Sequence, residues 1–466
     1  MAAGKKVAGS AVQGNQITEG VIWKQILIFF FPILFGTFFQ QLYNTADAMI
    51  VGRFVGKEAL AAVGGTTGTL INLLIGFFVG LSSGATVIIS QFYGANNGAR
   101  VHDAVHTAIA FSIAGGAVLT VAGILISRFA LEAMKTPADV MDHALVYIRV
   151  YFAGTIANLI YNIGSSILRA IGDSRRPLYY LIACCFANII LDVVFVVFFK
   201  LGVLGVALGT VLSQVLSAAL VLRTLMKTDD VYKLTWKDVR MDGLMLKRMV
   251  QIGFPAGLQS VMYTVSNIIV QTGVNTLGTD AAAAWATYGK VDGLFWMMIS
   301  ALGISATTFV GQNYGAGKKE RVHRGVGVCV GLGIIMTLIM CAALYFGGYY
   351  LIVLFTGDQA VRGLCMELLH FMVPTFVTYL AIEILSGALR GVGDCWIPML
   401  ITGIGVCGIR VIWILLALPV NPNIITAAFC YPLTWVITSV AFVIYYRWFS
   451  KLKGGRNKWR KANIYA

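Results

Sequence analysis

Charge is what this chain has least of. Asp, Glu, Lys and Arg together supply 12% of its 466 residues, where a soluble globular chain carries about 25%. With 58% hydrophobic residues and a mean hydropathy of +0.81, that deficit excludes a soluble globular protein. Period-2 alternation is missing too, which argues against a membrane β-barrel and for helices. No short apolar stretch with a small-residue cleavage site precedes the first long apolar run, so no removable signal peptide is expected. The eight cysteines are scattered apart from the neighbours Cys184 and Cys185, with no C-x-x-C and no Cys/His ligand spacing. The histidines (His102, His106, His143, His323, His370) fall at or near the ends of apolar runs, and no metal centre is expected from them.

What the chain does have is apolar runs of about 20 residues, enough to cross a hydrocarbon core of ~30 Å. Twelve are legible, over 26–51, 59–84, 104–127, 143–168, 177–199, 202–223, 249–275, 282–308, 324–349, 364–388, 398–419 and 424–447. The net charge of +15 is not a nucleic-acid signal, because it is unevenly placed. With an inside N-terminus, 26 of the 35 Lys and Arg residues fall on the inner side, which is the positive-inside pattern and puts both termini in the cytoplasm of a cell or inner membrane. The expected parts are a cytoplasmic segment 1–25, a first lobe 26–223, an inter-lobe loop 224–247, a second lobe 248–449 and a basic tail 450–466. The tail Arg447–Lys461 reads as a solvated or lipid-surface segment.

An internal repeat organises these runs. Gln91, Tyr93-Gly94-Ala95 and Arg100…His102 recur 221 residues later as Gln312, Tyr314-Gly315-Ala316 and Arg321…His323. At the same offset, Leu168-Arg169…Gly172-Asp173 with Pro177 recurs as Leu389-Arg390…Gly393-Asp394 with Pro398. Pro32 and Pro255 match within two residues of that spacing. Six spans per repeat return the chain to its starting side, so the halves are parallel repeats, able to rock about a central cavity. The expected fold is all-α integral membrane, with twelve transmembrane helices as two six-helix lobes. Glycines at small-residue spacing, such as Gly76, Gly80 and Gly84, allow close helix packing. Gly80, Ser82 and Gly84 formally match a hydrolase elbow, but inside a span and without a flanking strand.

Ionisable residues inside spans are the functional candidates, since a mid-membrane carboxylate costs roughly 2.5–3.5 kcal/mol to insert. They are Asp47, Asp192, Lys290, Asp292, Glu383 and Arg410. The first lobe holds only acids. Two carboxylates in one low-dielectric pocket titrate as a coupled pair and can hold a proton or a cation. Tyr43 lies four residues before Asp47 and Asn188 four before Asp192, while Asn158 and Asn162 share a face of span 4. A structural network that glues helices is the alternative. Lys290, Asp292, Glu383 and Arg410 read as a charge-neutral second-lobe network, structural or gating. Pro32 can kink span 1, with Gly36 one turn later easing the bend.

Together these motifs resemble the multidrug and toxic compound extrusion (MATE) transporters from about residue 20 to 450. The likeness rests on Pro32…Gln40…Tyr43…Asp47, the Gln-x-Tyr-Gly-Ala and Leu-Arg…Gly-Asp loops, Asn188…Asp192, and Leu204…Thr210. It implies a V-shaped two-lobe exporter of organic cations, driven by H⁺ or Na⁺, with no other cofactor and no enzymatic activity. The family's first-lobe site falls on Tyr43, Asp47, Tyr147, Asn162, Asn188, Asp192 and Thr210, with Na⁺ at Asp47 and Asp192 left open. Gln40, Tyr147, Asn158, Ser165, Tyr263 and Glu383 are the substrate-cavity candidates, Ser165 standing where some members carry Asn. Span 7 has Tyr263 but no acid, so the resemblance leans to the DinF-type rather than the NorM-type branch. The expected partners are amphipathic or cationic small molecules and the lipid bilayer, with a monomeric protein. A lipid-linked saccharide flippase of the wider superfamily is the alternative and calls for a cavity lined with Arg and Lys; a membrane enzyme calls for a His, Ser or acid cluster at one membrane face.

Overall fold

Backbone polar groups in hydrocarbon must be satisfied within their own segment, so the apolar runs fold as helices. This computed structural model describes residues 16–453. The first half contains α1 (Ile22–Phe54), α2 (Lys57–Gly64), α3 (Thr66–Gly94), α4 (Gly98–Ala133), α5 (Ala138–Ala153), α6 (Thr155–Ala170), α7 (Arg175–Asp192) and α8 (Gly202–Lys227). The second contains α9 (Gly243–Asn275), α10 (Thr279–Gly315), α11 (Lys319–Phe355), α12 (Gln359–Met372), α13 (Leu380–Gly391), α14 (Trp396–Thr402), α15 (Ile409–Leu416) and α16 (Ile424–Ile444). Ten of the described helices, runs across short breaks counted as one, are long and apolar enough to span a membrane, or eleven with the bent pair α5 and α6. The 33-residue α9 is long enough to cross but less apolar than these, and with it the helices number twelve. The first fifteen residues and the tail beyond 453 lie outside the described residues.

Several spans depart from straight helices. Span 4 breaks at Gly154, with 50° between α5 and α6. A Cβ at Gly154 would stand 2.6 Å from Val211 of α8, so the bend brings the chain onto that helix. Span 10 is interrupted by a 3₁₀ turn, Val373–Tyr379, opened by Pro374. Span 5 passes into a wide π turn, Val193–Phe198, immediately after Asp192. Span 1 does not break: α1 runs as one helix through Pro32. Gly36 serves packing here, because a Cβ there would meet Leu181 of α7 at 3.2 Å.

The repeated loops fold alike. Gly172 (φ 97°) and Gly393 (φ 77°) take the left-handed conformation that closes a helix C-terminus. The N–H of Asp173 donates to Leu168 O, and that of Asp394 to Leu389 O, both at 2.9 Å. Pro177 and Pro398 then sit in the first turns of α7 and α14.

The halves meet along α3 and α9, where glycines leave backbone against backbone. A Cβ on Gly80 would lie 2.5 Å from Gly257 Cα, and one on Gly253 only 2.2 Å from Leu81 O. At one end of this seam the repeat loops interlock. Gln91 Nε2 donates to Gly391 O at 2.8 Å, and Gln312 Nε2 to Ala170 O at 2.6 Å. The segment 16–20 is strapped to this closed end. Arg321 donates to the carbonyls of Ile17, Glu19 and Gly20, and Lys318 to that of Thr18.

Candidate functional site

Asp47 lies on α1 and Asp192 is the last residue of α7; both are buried, and their carboxylates are neighbours. Thr210 of α8 donates to Asp47 Oδ2 at 3.4 Å, and Asn188 lies one turn before Asp192 beside the same carboxylate. Asp47 Oδ1, both oxygens of Asp192 and both polar atoms of Asn188 are buried without a hydrogen-bond partner. Buried polar groups are normally paired, and an unsatisfied charge is costly. The donor set of carboxylate, amide and hydroxyl oxygens suits a proton or a hard cation such as Na⁺. Gly209 of α8 makes the site possible: a Cβ there would stand 2.1 Å from Asp192 Oδ1.

The remaining first-lobe candidates divide. Tyr43 lies near Asp47, Tyr151 and Cys184. Tyr147 is buried with Val51 and Val206 in the core beside the acids. Asn162 is turned onto its own helix, donating to Asn158 Oδ1 at 2.8 Å and Asn158 O at 2.9 Å. Ser165 is buried within the lobe. Gln40 is exposed.

A cavity of about 790 Å³ lies between the lobes, mostly against the second. Tyr263 and Glu383 line it, but Gln40, Tyr147, Asn158 and Ser165 do not; Gln41, the neighbour of Gln40, faces it instead. The reason is helical phase, since one residue turns a side chain by about 100°. Tyr263 OH meets Tyr379 OH at 3.3 Å, and Tyr379 OH donates to Glu383 Oε2 at 3.3 Å. Trp296 Nε1 donates to Asp292 Oδ2 at 2.6 Å. Phe295 stacked on Phe376 at 4.2 Å, with Trp435 beside them, fixes this wall.

Among the described residues no ion pair joins the four second-lobe charges, although Asp292, Glu383 and Arg410 share the cavity lining. Lys290 is exposed and lies over the Phe355 ring, 5.0 Å from its centroid. Two residues of helix separate it from Asp292, which places the two on different faces. Arg410 is buried and donates to Asn267 Oδ1 at 2.9 Å rather than pairing with an acid. Arg390, in the last turn of α13, also lines the cavity.

Outside the membrane core, His102, His106 and Asp238 gather within 4.8 Å, a cluster that sequence spacing did not show. His106 is already engaged at both ring nitrogens, through Nδ1 with His102 O at 2.7 Å and through Nε2 accepting from Thr235 N–H at 3.0 Å. It therefore anchors the inter-lobe loop.

Two six-helix lobes about a cleft, with unsatisfied acids buried in one of them, define a multi-pass membrane transporter. The family model described as MatE matches residues 32–194 and again 255–416, so the repeat read from the loops spans both halves. The chain belongs to the MATE family of multidrug efflux transporters. It is 28% identical over 84% of its length to the probable multidrug resistance protein YoeA of Bacillus subtilis, covering 86% of that protein. A second Bacillus subtilis relative, the probable multidrug resistance protein YpnP, is 27% identical over 82% of this chain and 85% of its own length. A solved outward-facing multidrug resistance MATE family transporter superposes with a TM-score of 0.89 at 21% identity, over 96% of this chain and 100% of that one. The two Bacillus subtilis relatives are named for multidrug resistance and the solved structure as a transporter, none as an enzyme, and the flippase alternative is not favoured: the cavity carries Asp292 and Glu383 as well as Arg390 and Arg410.

Proposed function

We propose that this transporter exports amphipathic or cationic small molecules across the cell membrane in exchange for H⁺ or Na⁺, by alternating access, with Asp47 and Asp192 as the coupling site. The observation that carries the reading is the acid pair itself, buried in the first lobe with five unpartnered polar atoms on Asp47, Asp192 and Asn188. Two bare carboxylates repel one another in a low dielectric, and one proton or one cation relieves both the repulsion and the unmet bonding. Binding that differs between two arrangements of α1, α7 and α8 shifts their populations, which is all that coupling requires.

The closed end, carrying the Gln91 and Gln312 bonds, faces the cytoplasm in this reading, with both termini on that side. The cleft between lobes receives the substrate. The absence of an acid among the α9 residues facing the cavity, where Tyr263 stands, supports a DinF-type rather than NorM-type assignment. Two lobes within one chain supply both sides of the cleft, so the unit is a monomer. Pro32 supplies a site of bending in α1 during the cycle, and Pro32→Ala with undiminished ion-dependent transport would refute that role.

The test is efflux of a fluorescent organic cation in everted vesicles. Asp47→Asn abolishes ion-driven transport while the purified protein remains folded in detergent; normal transport by that variant refutes the assignment. A pH gradient without Na⁺ drives transport if the ion is H⁺, whereas dependence on added Na⁺ identifies the other ion.

A further inference from the structure

The pseudo-equivalent place in the second lobe carries the opposite charge. In the first lobe α1 and α7 bring two acids together; in the second, α9 and α15 bring together Asn267 and Arg410. Arg410 is 2% exposed. Its Nη1 bonds Asn267, its guanidinium lies 4.0 Å from the Tyr431 ring centroid, and its Nε has no partner. None of the six ion pairs among the described residues includes it. The two nearby cavity acids are otherwise engaged, Asp292 with Trp296 and Glu383 with Tyr379.

A guanidinium held in the membrane without a carboxylate is expensive, and such residues mark binding positions. Arg410 lines the cavity of about 790 Å³, as do Asn267 and Tyr431. A planar fork backed by an aromatic face and steadied at one nitrogen is suited to a carboxylate. Asp292 and Glu383 on the same cavity wall call for positive charge, and Trp285, Trp296 and Tyr263 for a flat apolar body.

We propose that Arg410 is an anion-receiving point, and that the cavity accepts aromatic zwitterions whose carboxylate pairs with Arg410 and whose cationic end faces Asp292 and Glu383. This rests on the export reading for what enters the cleft. It adds selectivity for an anionic group that a purely cation-binding cavity would reject.

Binding to the purified, de-energised full-length protein tests it, so the outcome is independent of ion coupling at Asp47. The probes are a rhodamine zwitterion bearing a free benzoate and its methyl ester, which share the cationic dye but differ in the anion. The wild-type protein is expected to bind the free acid about tenfold more tightly than the ester, the scale of one charged hydrogen-bonded contact. Arg410→Gln is expected to bring that ratio to one, and Arg410→Lys to retain part of it. An equal affinity of the wild-type protein for both dyes overturns the proposal, even if no variant folds. A preference that survives Arg410→Gln overturns it too. So does displacement by chloride or inorganic phosphate alone with no preference between dyes, which would make Arg410 a site for a free inorganic anion. Loss of transport in Asp47→Asn with the preference intact supports both readings; transport unaffected by Asp47→Asn with the preference intact defeats only the coupling site.

Discussion

Gln91 and Gln312, at equivalent positions of the two repeats, exchange hydrogen bonds across the lobes with carbonyls that are themselves equivalent. Gln91 reaches Gly391 O and Gln312 reaches Ala170 O. The glycines beside them keep the backbones close, since a Cβ on Gly315 would stand 1.9 Å from Gln91 O and one on Gly94 would stand 2.0 Å from Gln312 O. Each bond contributes about 1 kcal/mol, so removing both shifts the opening equilibrium of this end by more than tenfold. Cys395, 6% exposed and packed with Met249 and Ile252 beside the seam, reports it without an added probe. Maleimide labelling of Cys395, located by mass spectrometry, rises in Gln91→Ala/Gln312→Ala. Unchanged labelling would mean that the glycine seam alone holds the end shut.

The inter-lobe loop responds to pH through His102. Burial pushes its imidazole below the usual range, and the neighbouring His106 and Arg240 push it the same way, against the pull of Asp238 and Asp103. The folded protein therefore takes up this proton later than the unfolded chain does. Stability from this group is present above the ordinary imidazole value of ~6.5 and falls as pH drops below it. Hydrogen exchange over 228–242, corrected for its intrinsic pH dependence, should show looser protection on acidification. His102→Asn should flatten that response; a wild-type loop indifferent to pH would sink the assignment.

Much of this was legible because the membrane simplifies the code. Runs such as 104–127 have to be helices, and the loop identities at a 221-residue offset imply two lobes. Asp47 and Asp192 were legible because an acid in hydrocarbon is conspicuous. What stayed hidden depends on contacts between distant helices. Nothing local distinguishes Gly209, whose missing side chain seats Asp192, from glycines that face open space such as Gly327. Arg410 read as half of an ion pair because pairing is the common fate of buried charge; only the fold shows Asn267 in the partner's place. Gln40 and Gln41 could not be told apart without the rotation of α1.

Trp296 holds Asp292 in place on the cavity wall. Its indole N–H is the hydrogen-bond donor to Oδ2, while Oδ1 has no partner. Trp296→Phe keeps the ring contacts with Tyr379 and Trp435 but leaves neither carboxylate oxygen bonded. The expected loss is about 1–3 kcal/mol, seen as earlier thermal unfolding in detergent. Removing both partners is gentler than removing one, so Asp292→Leu in the Trp296→Phe background should recover part of the loss. A double variant less stable than the single one would show that Asp292 is held by something other than the indole.

The acid pair depends on an absence at Gly209. Asp192 Oδ1 occupies the space where any other residue would place its Cβ, with 2.1 Å between the two. Real Cβ contacts never come that close, so in Gly209→Ala either Asp192 turns away from Asp47 or α8 moves off α7 and carries Thr210 with it. Thr210 donates to Asp47 from the next position along α8. Both routes break the pair without altering an ionisable group. Gly209→Ala should therefore reproduce the loss of ion-driven efflux seen with Asp47→Asn, although all its carboxylates remain. Gly327 on α11, which faces open space, is the matched control, and Gly327→Ala should transport normally. Ion-driven efflux that survives Gly209→Ala at the wild-type rate would show that coupling does not need Asp192 beside Asp47.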